Sequence, residues 1–528
     1  MNKNEKYPLN QTEYIQQLVE KCKAQEEKIT MLENKMDWLV EQIRLSKHKQ
    51  FGASSEKTTF EGQMSLVFNE TEGFQRDNLP EPTLEEITYK RKKAVGHKEE
   101  LLADLPVQTI EYTLAEDKTD CPECGEKMHV MGKEVRRELK IIPAQVEVVE
   151  HVKYVYSCRS CEKNAESVPI IKTTIPEPVI KGSIASPSAV AHIMTQKFVN
   201  AVPIYRQEQD YKRHGIELSR QTMSNWVNRC SLDWLQPIYE ALKGQLIKRE
   251  VLCADETTLQ VLREPGKKAT TNSYMWLYRT GSDGLNQPII IYEYQPSRSA
   301  HHPKVFLKGY KGYLHADGYD AYHKLPNTII ICGCLAHARR KFEEALKSIP
   351  SSEQLGSGAL VGKSYCDKLF HIEEGLKDLP SEERYEKRLK LAKPVWDAYL
   401  AWLKSVNALP KSALGKAIAY SLGQWKYLQN YLLDGRCEIS NNRSERSIKP
   451  FVIGRKNFLF ANTPLGAKAS AITYSIIETA KENNLNPFEY LRYLFEQLPN
   501  VDFQKNPEVL QKYLPWANLP EECYSKKK

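Results

Sequence analysis

Val251-Leu252-Cys253-Ala254-Asp255-Glu256-Thr257 is a short apolar run that ends in acid. Gly312-Tyr313-Leu314-His315-Ala316-Asp317-Gly318 repeats the pattern farther along the chain. Apolar runs this short, closed by polar or turn residues, read as strands. Two more strand candidates stand between them, Tyr274 to Tyr278 and Pro288 to Tyr292. Thr328 to Cys332 reads as another strand and Leu335 to Leu346 as a helix.

A three-stranded antiparallel start followed by further strands and helices is the order of an RNase H-like fold. In it Asp255 sits on the first strand and Asp317 on the fourth. Those strands are neighbours, so the two acids meet. From about 350 to 435 the chain turns helical and charged, as an insertion rather than a continuation of the sheet. Then Ile439-Ser440-Asn441-Asn442-Arg443-Ser444-Glu445-Arg446 enters a helix, and Glu445 supplies a third acid. Three carboxylates from separated positions can hold two divalent ions about 4 Å apart. Mg²⁺ and Mn²⁺ suit them because both prefer hard oxygen ligands. Each acid also has a structural explanation. Asp255 could cap the turn after a strand, Asp317-Gly318 is a turn dipeptide, and Asn442 with Glu445 could form a capping box with Glu445 at its third helical position.

Upstream, residues 180–245 read as helical, with Tyr205 to Arg213 in one helix, a turn at Gly215, and Ser219 capping a second helix through Arg229. That is helix-turn-helix spacing. Met223, Trp226 and Val227 face inward, while Arg220, Gln221, Ser224, Asn225 and Asn228 face out and suit base edges and phosphates. An ordinary helical hairpin has the same pattern. Farther upstream stand Cys121-Pro122-Glu123-Cys124 and Cys158-Arg159-Ser160-Cys161, with candidate strands Val146 to Val149 and Val152 to Ser157 between them. Cys121, Cys124, Cys158 and Cys161 satisfy tetrahedral Zn²⁺ and leave no open position, which makes the site structural. At the start of the chain Ile15, Leu18, Cys22, Gln25, Ile29, Leu32, Met36, Leu39 and Ile43 alternate three and four apart, the seam of a coiled coil. Self-association follows from it; the alternative is an amphipathic helix packed on its own protein. The intervening segment is linker-like and carries the basic cluster Lys90-Arg91-Lys92-Lys93.

The 528 residues allow several domains, and the net charge of +8 is compatible with nucleic acid without proving it. The other eight of the twelve cysteines are scattered, which points to a reducing compartment. No signal core and no run of eighteen apolar residues is present, so a cytoplasmic location with no membrane span is expected. The domain reading is a coiled coil at 10–50, a linker at 51–105, a zinc-binding β domain at 106–175, the helical region at 180–245, a catalytic domain at 246–485 with its insertion, and a C-terminal segment at 486–528.

Together these stretches resemble the transposases of insertion-sequence family 66. Phe51-Gly52-Ala53-Ser54-Ser55-Glu56 resembles the motif at the end of the family's coiled coil, and the two Cys-x-x-Cys pairs resemble its zinc-binding domain. Pro203-Ile204-Tyr205-Arg206-Gln207-Glu208, with the helix through Trp226, resembles its DNA-binding region. Asp255-Glu256-Thr257, Asp317-Gly318-Tyr319, Cys334-Leu335-Ala336-His337-Ala338-Arg339-Arg340 and Asn441-Asn442-Arg443-Ser444-Glu445-Arg446 resemble its catalytic domain. Gly454-Arg455-Lys456-Asn457-Phe458-Leu459-Phe460 and Leu514-Pro515-Trp516 complete the match. The family usually has Asp where this chain has Ser440.

The resemblance implies a DDE transposase with an RNase H-like core. Asp255, Asp317 and Glu445 would hold Mg²⁺ or Mn²⁺, with support from His337, Arg340, Asn442 and Arg446. It implies DNA as partner, both the terminal inverted repeats of the element and target DNA, together with small accessory proteins of the same element and a place at the bacterial nucleoid. Two other readings compete: a zinc and helix-turn-helix regulator with an inactive nuclease fold, and a stand-alone nuclease that joins nothing.

Overall fold

The computed structural model describes residues 146–157, residues 170–526, and positions 19, 20, 23, 25, 26, 29 and 36. The chain divides into two compact units, Met1–Ala53 with Thr173–Lys528, and Ser54–Lys172. In the second unit β1 (Val155–Ser157) pairs antiparallel with β2 (Ile170–Lys172). The expected strand from Val152 shortens to its last three residues, and Val146 to Val149 lies in no strand. Val148 is 91% exposed. An apolar run becomes a strand only when a neighbour takes its backbone groups. Cys121, Cys124, Cys158 and Cys161 lie outside the described residues, as do most positions of the heptad seam. Of that seam, Gln25, Ile29 and Met36 are helical and exposed.

The first unit is built on β3 (Val251–Gln260), β4 (Asn272–Thr280), β5 (Ile290–Gln295), β6 (Gly312–Ala316) and β7 (Ile329–Gly333). They form one mixed sheet in the order β5-β4-β3-β6-β7. The first three are antiparallel, and β6 runs parallel to both β3 and β7. Met275 to Tyr278 are all buried, so β4 is covered on both faces. β3 does not end at its acid. It continues through Thr257 and Thr258 because Met275 and Tyr274 of β4 extend the ladder. Asp255 is therefore mid-strand, paired with Leu277, and its reading as a turn cap is withdrawn. At the entrance of β6, a Cβ on Gly312 would meet the Glu250 carbonyl oxygen at 2.3 Å, so only glycine lets β6 lie this close to β3.

Helices α1 (Pro187–Phe198), α2 (Ile204–Arg213), α3 (Arg220–Cys230) and α4 (Gln236–Leu246) precede the sheet. Ser219 caps α3, its hydroxyl accepting the Thr222 N–H at 3.1 Å. The chain does not break after Arg229; a π-helical turn, Ser231–Leu235, carries α3 into α4. Beyond the sheet, α5 (Leu335–Lys347) leads to the helical insertion, α6 (Gly358–Leu376), α7 (Ser381–Ser405) and α8 (Ala413–Gly423). The insertion packs with α5 around a second core that includes Phe342, Leu369, Trp396 and Tyr399. Then come α9 (Asn442–Phe458), α10 (Pro464–Glu482) and α11 (Pro487–Gln497).

The main core ignores the boundaries expected near 245 and 486. Met194, Met223 and Leu242 of the leading helices share one cluster with Leu277 and Tyr292 of the sheet and with Ile476 and Leu491 of α10 and α11. A segment of some sixty residues buries too little surface to stand alone easily, and here it borrows the sheet's helices. α10 also shields the sheet edge. Ser475 and Thr479 accept the N–H groups of Tyr292 and Ile290 at 2.8 and 3.0 Å, so β5 offers no free ladder there. Among the described residues no helix is long and apolar enough to cross a membrane.

Candidate functional site

Parallel register sets the residues just before the first two acids level. Cys253 of β3 is abreast of His315 of β6. Side chains repeat every second residue along a strand, so the last aligned pair stands two residues before each acid, and the charges of Asp317 and Glu445 both act on Asp255. Neighbouring strands lie about 4.8 Å apart, which sets the spacing of that pair. Asp317 follows the last residue of β6, and its Oδ1 accepts the Tyr319 N–H at 2.9 Å, so the acid also shapes the turn. A Cβ on Gly318 would lie 3.0 Å from the Tyr420 hydroxyl, a fit that keeps the turn tight against α8.

Glu445 arrives from the other side, in the first turn of α9. Asn441, not Asn442, is the cap residue, and its side chain makes no capping bond. Its Nδ2 instead donates to the Ala254 carbonyl at 2.8 Å, and its N–H to Cys334 Sγ at 3.2 Å. The capping box of Asn442 with Glu445 is therefore corrected: Asn442 is the first helical residue and Glu445 one place past the box position. Asn441 pins the helix start to the residue before Asp255, and nothing in its pattern distinguished it from Asn442. On α5, His337 Nδ1 is 3.9 Å from Glu445 Oε1 and Arg340 Nη2 is 3.7 Å from Oε2. Asn442 is half-buried and Arg446 exposed on α9.

A second network flanks the acids and was not legible in the sequence. Glu256 has a side chain only 1% exposed, held by Arg298 and by the Tyr322 hydroxyl. The Arg298 guanidinium also stacks over Tyr319 at 3.7 Å. Three elements far apart in sequence meet here, and no spacing rule connects them.

Burial pushes the Asp255 carboxyl well above the usual carboxylate range; the neighbouring Glu256 charge adds to this, as do Asp317 and Glu445, while the Glu256 N–H opposes it. Burial also pushes Glu256 up, against the Tyr322 and Arg298 hydrogen bonds. Burial holds His337 below the ordinary imidazole value despite Glu445. Glu445 Oε1 and His337 Nδ1 are buried with no hydrogen-bond partner. Clustered hard oxygens, excess negative charge and an orphaned carboxylate oxygen fit a divalent cation. Among the described residues, two groups bring three donor atoms within 4.8 Å of one another, Cys334–His337–Glu445 and His315–Cys332–Cys437. The three acids are not such a group.

The raised Asp255 carboxyl has a consequence for stability. An acid whose folded pKa exceeds its unfolded value holds its proton longer when folded. The metal-free protein thus loses stability as pH rises above the ordinary aspartate range. Asp255→Asn, which cannot ionise, is expected to raise the calorimetric melting temperature of metal-free protein at neutral pH. An unchanged or lower melting temperature would contradict the strain assigned to this carboxylate.

On α3, Arg220, Gln221 and Asn225 are exposed, Ser224 and Asn228 half-buried, and Met223, Trp226 and Val227 buried. Asn225 and Asn228 line a cleft of about 450 Å³ with Lys181, Thr222 and Arg229. The Arg220 guanidinium stands over the Tyr205 ring at 6.0 Å.

Four family models match the chain. One described as Transposase IS66 family covers residues 182–469, and a zinc-finger binding domain of transposase IS66 covers 118–162. Transposase C of IS166 homeodomain covers 38–110, and IS66 C-terminal element covers 475–516. Similar proteins occur in Sinorhizobium fredii (strain NBRC 101917 / NGR234). "Uncharacterized protein y4jD" is 31% identical over 409 residues, 75% of this chain and 77% of that protein. "Uncharacterized protein y4qI" is 27% identical over 504 residues, 91% and 88% of the two.

Proposed function

This chain belongs to the IS66 transposase family and is an insertion-sequence transposase of the DDE type, and on that premise we propose that Asp255, Asp317 and Glu445 are the acids that carry DNA cleavage and strand transfer. The observation that carries this reading is the strand register that aligns Cys253 with His315, two residues before Asp255 and Asp317, with Glu445 on a helix whose start is pinned at Ala254. The strand order, three antiparallel strands and then two parallel ones, supports an RNase H-like core.

In this reading the three carboxylates hold Mg²⁺ or Mn²⁺. Ions held there would supply activation of the attacking water or 3′-hydroxyl and stabilisation of the leaving oxygen of an in-line displacement. The protein's own groups orient that site. Asn441 fixes Glu445 against β3, and Arg298 braces Glu256 beside Asp255. Arg340 offers a half-exposed cation next to Glu445, able to meet a backbone phosphate. His337 is neutral at neutral pH and shields Glu445 Oε1.

The surrounding regions take supporting roles. The helix from Arg220 reads the ends of the element through Arg220, Gln221, Ser224, Asn225 and Asn228. Cys121, Cys124, Cys158 and Cys161 hold structural zinc. The exposed apolar Ile29 and Met36 support self-association through the coiled coil at 10–50, which supplies two copies for two DNA ends. Accessory proteins of the element complete the assembly. Arg220→Ala and Asn225→Ala are each expected to weaken binding to the element's ends by about 1–3 kcal/mol. An equal loss on random DNA would mean phosphate contact, and no loss on either would return α3 to a packing role.

The proposed activity is tested with labelled end DNA, a target duplex, Mg²⁺ and any accessory proteins. Cut ends covalently joined to target are expected. Cut ends that are never joined would indicate a nuclease, and binding without cutting a regulator.

A further inference from the structure

Two residues below the carboxylates, the same strands carry a second row. Cys253 is abreast of His315 across β3 and β6, and His315 is abreast of Cys332 across β6 and β7. Register partners on neighbouring strands face the same side of the sheet. Cys437, on the segment leading into α9, closes over this row. Its Sγ is 3.9 Å from that of Cys332, and both sulfurs and a ring nitrogen of His315 lie within 4.8 Å of one another. All four residues are at most 1% exposed, and His315 Nδ1 is buried without a hydrogen-bond partner.

The geometry points to a zinc site made by His315, Cys332 and Cys437, separate from both the carboxylates and the upstream cysteine pairs; Cys253 stands next along the row, outside that close group. Thiolates with imidazole make a tetrahedral set that favours zinc and disfavours Mg²⁺. Each thiol that ligates releases its proton to solvent. Glu438 N lies 3.2 Å from His315 Nε2, the one contact that ligation through Nε2 gives up. The position suggests what the ion does. Cys253 is two residues from Asp255, His315 two from Asp317, and Cys437 precedes the turn to Glu445. One ion here ties the strand that delivers Asp317 to the segment that leads to Glu445, beside the strand that carries Asp255.

Elemental analysis of the full chain, purified without chelator, tests this. About two zinc ions per chain are expected where the upstream cysteine site is also filled. The Cys124→Ser, Cys161→Ser chain should keep about one, and adding Cys332→Ser and Cys437→Ser should remove it. A folded Cys124→Ser, Cys161→Ser chain without zinc overturns the proposal, as does zinc that survives all four substitutions. Should the core substitutions prevent folding, Co²⁺ loaded into the Cys124→Ser, Cys161→Ser chain decides. Thiolate-to-cobalt absorption supports the site, and its absence overturns it. Failure here leaves the carboxylate reading intact, because cleavage is not the readout.

Discussion

Asp255→Asn, Asp317→Asn and Glu445→Gln are each expected to abolish cleavage and joining while leaving folding and end binding intact. The amide keeps the shape of the side chain and removes the charge that holds the cation. Losing that electrostatic stabilisation costs several kcal/mol at the transition state, which at about 1.4 kcal/mol per factor of ten is roughly a thousandfold in rate. Single-turnover cleavage of labelled end DNA reads the effect. Asp320→Asn is the control: its carboxylate is exposed and paired with Lys324 four residues on, and activity should be retained. Glu256, although outside the triad, is not a neutral control. It is buried and braced by Arg298 and Tyr322, so Glu256→Gln disturbs the residue beside Asp255 and should lower activity without removing it.

The second large effect is on stability. Arg388 of α7 has a side chain 1% exposed, paired with Glu373 of α6 at 2.6 Å. It also donates to the carbonyls of Tyr431, Asp434 and Cys437 at 3.2, 3.0 and 2.8 Å. These bonds join the insertion to the segment that returns to α9. Arg388→Ala is expected to destabilise the chain by about 3–5 kcal/mol, because it leaves a buried carboxylate and carbonyls unpaired. Removing both partners should cost less than removing Arg388 alone, since the uncompensated Glu373 charge is then gone. Chemical denaturation of wild type, Arg388→Ala and Arg388→Ala with Glu373→Ala measures this. A double variant as unstable as the sum of its parts would show that the pair is not coupled.

The strands that carry Asp255 and lead to Asp317 were legible because their pattern is local. In β3 and β6 the acid follows an apolar run of nearly equal length, and the register pairs Val251 to Cys253 with Tyr313 to His315, just before the acids. The Ser219 cap and the inward face of Met223, Trp226 and Val227 were readable for the same reason, being set by helical period and one hydroxyl. The extension of β3 past Asp255 was not, because Glu256-Thr257-Thr258 resembles a strand end until β4 supplies hydrogen-bond partners. Nor was the role of Asn441, whose amide is spent on Ala254 rather than on its own helix. The shared core of α1 to α4 with α10 and α11 depends on contacts between distant segments, which period and composition do not encode.

The reading of the acids is tested most directly by Mn²⁺ binding to the intact protein, followed by the electron paramagnetic resonance signal of free ion. Saturable binding by wild type, lost in both Asp255→Asn and Asp317→Asn and retained in Asp320→Asn, is the expected result. Binding of the same stoichiometry and affinity in wild type and in both amide variants would contradict a metal held between β3 and β6.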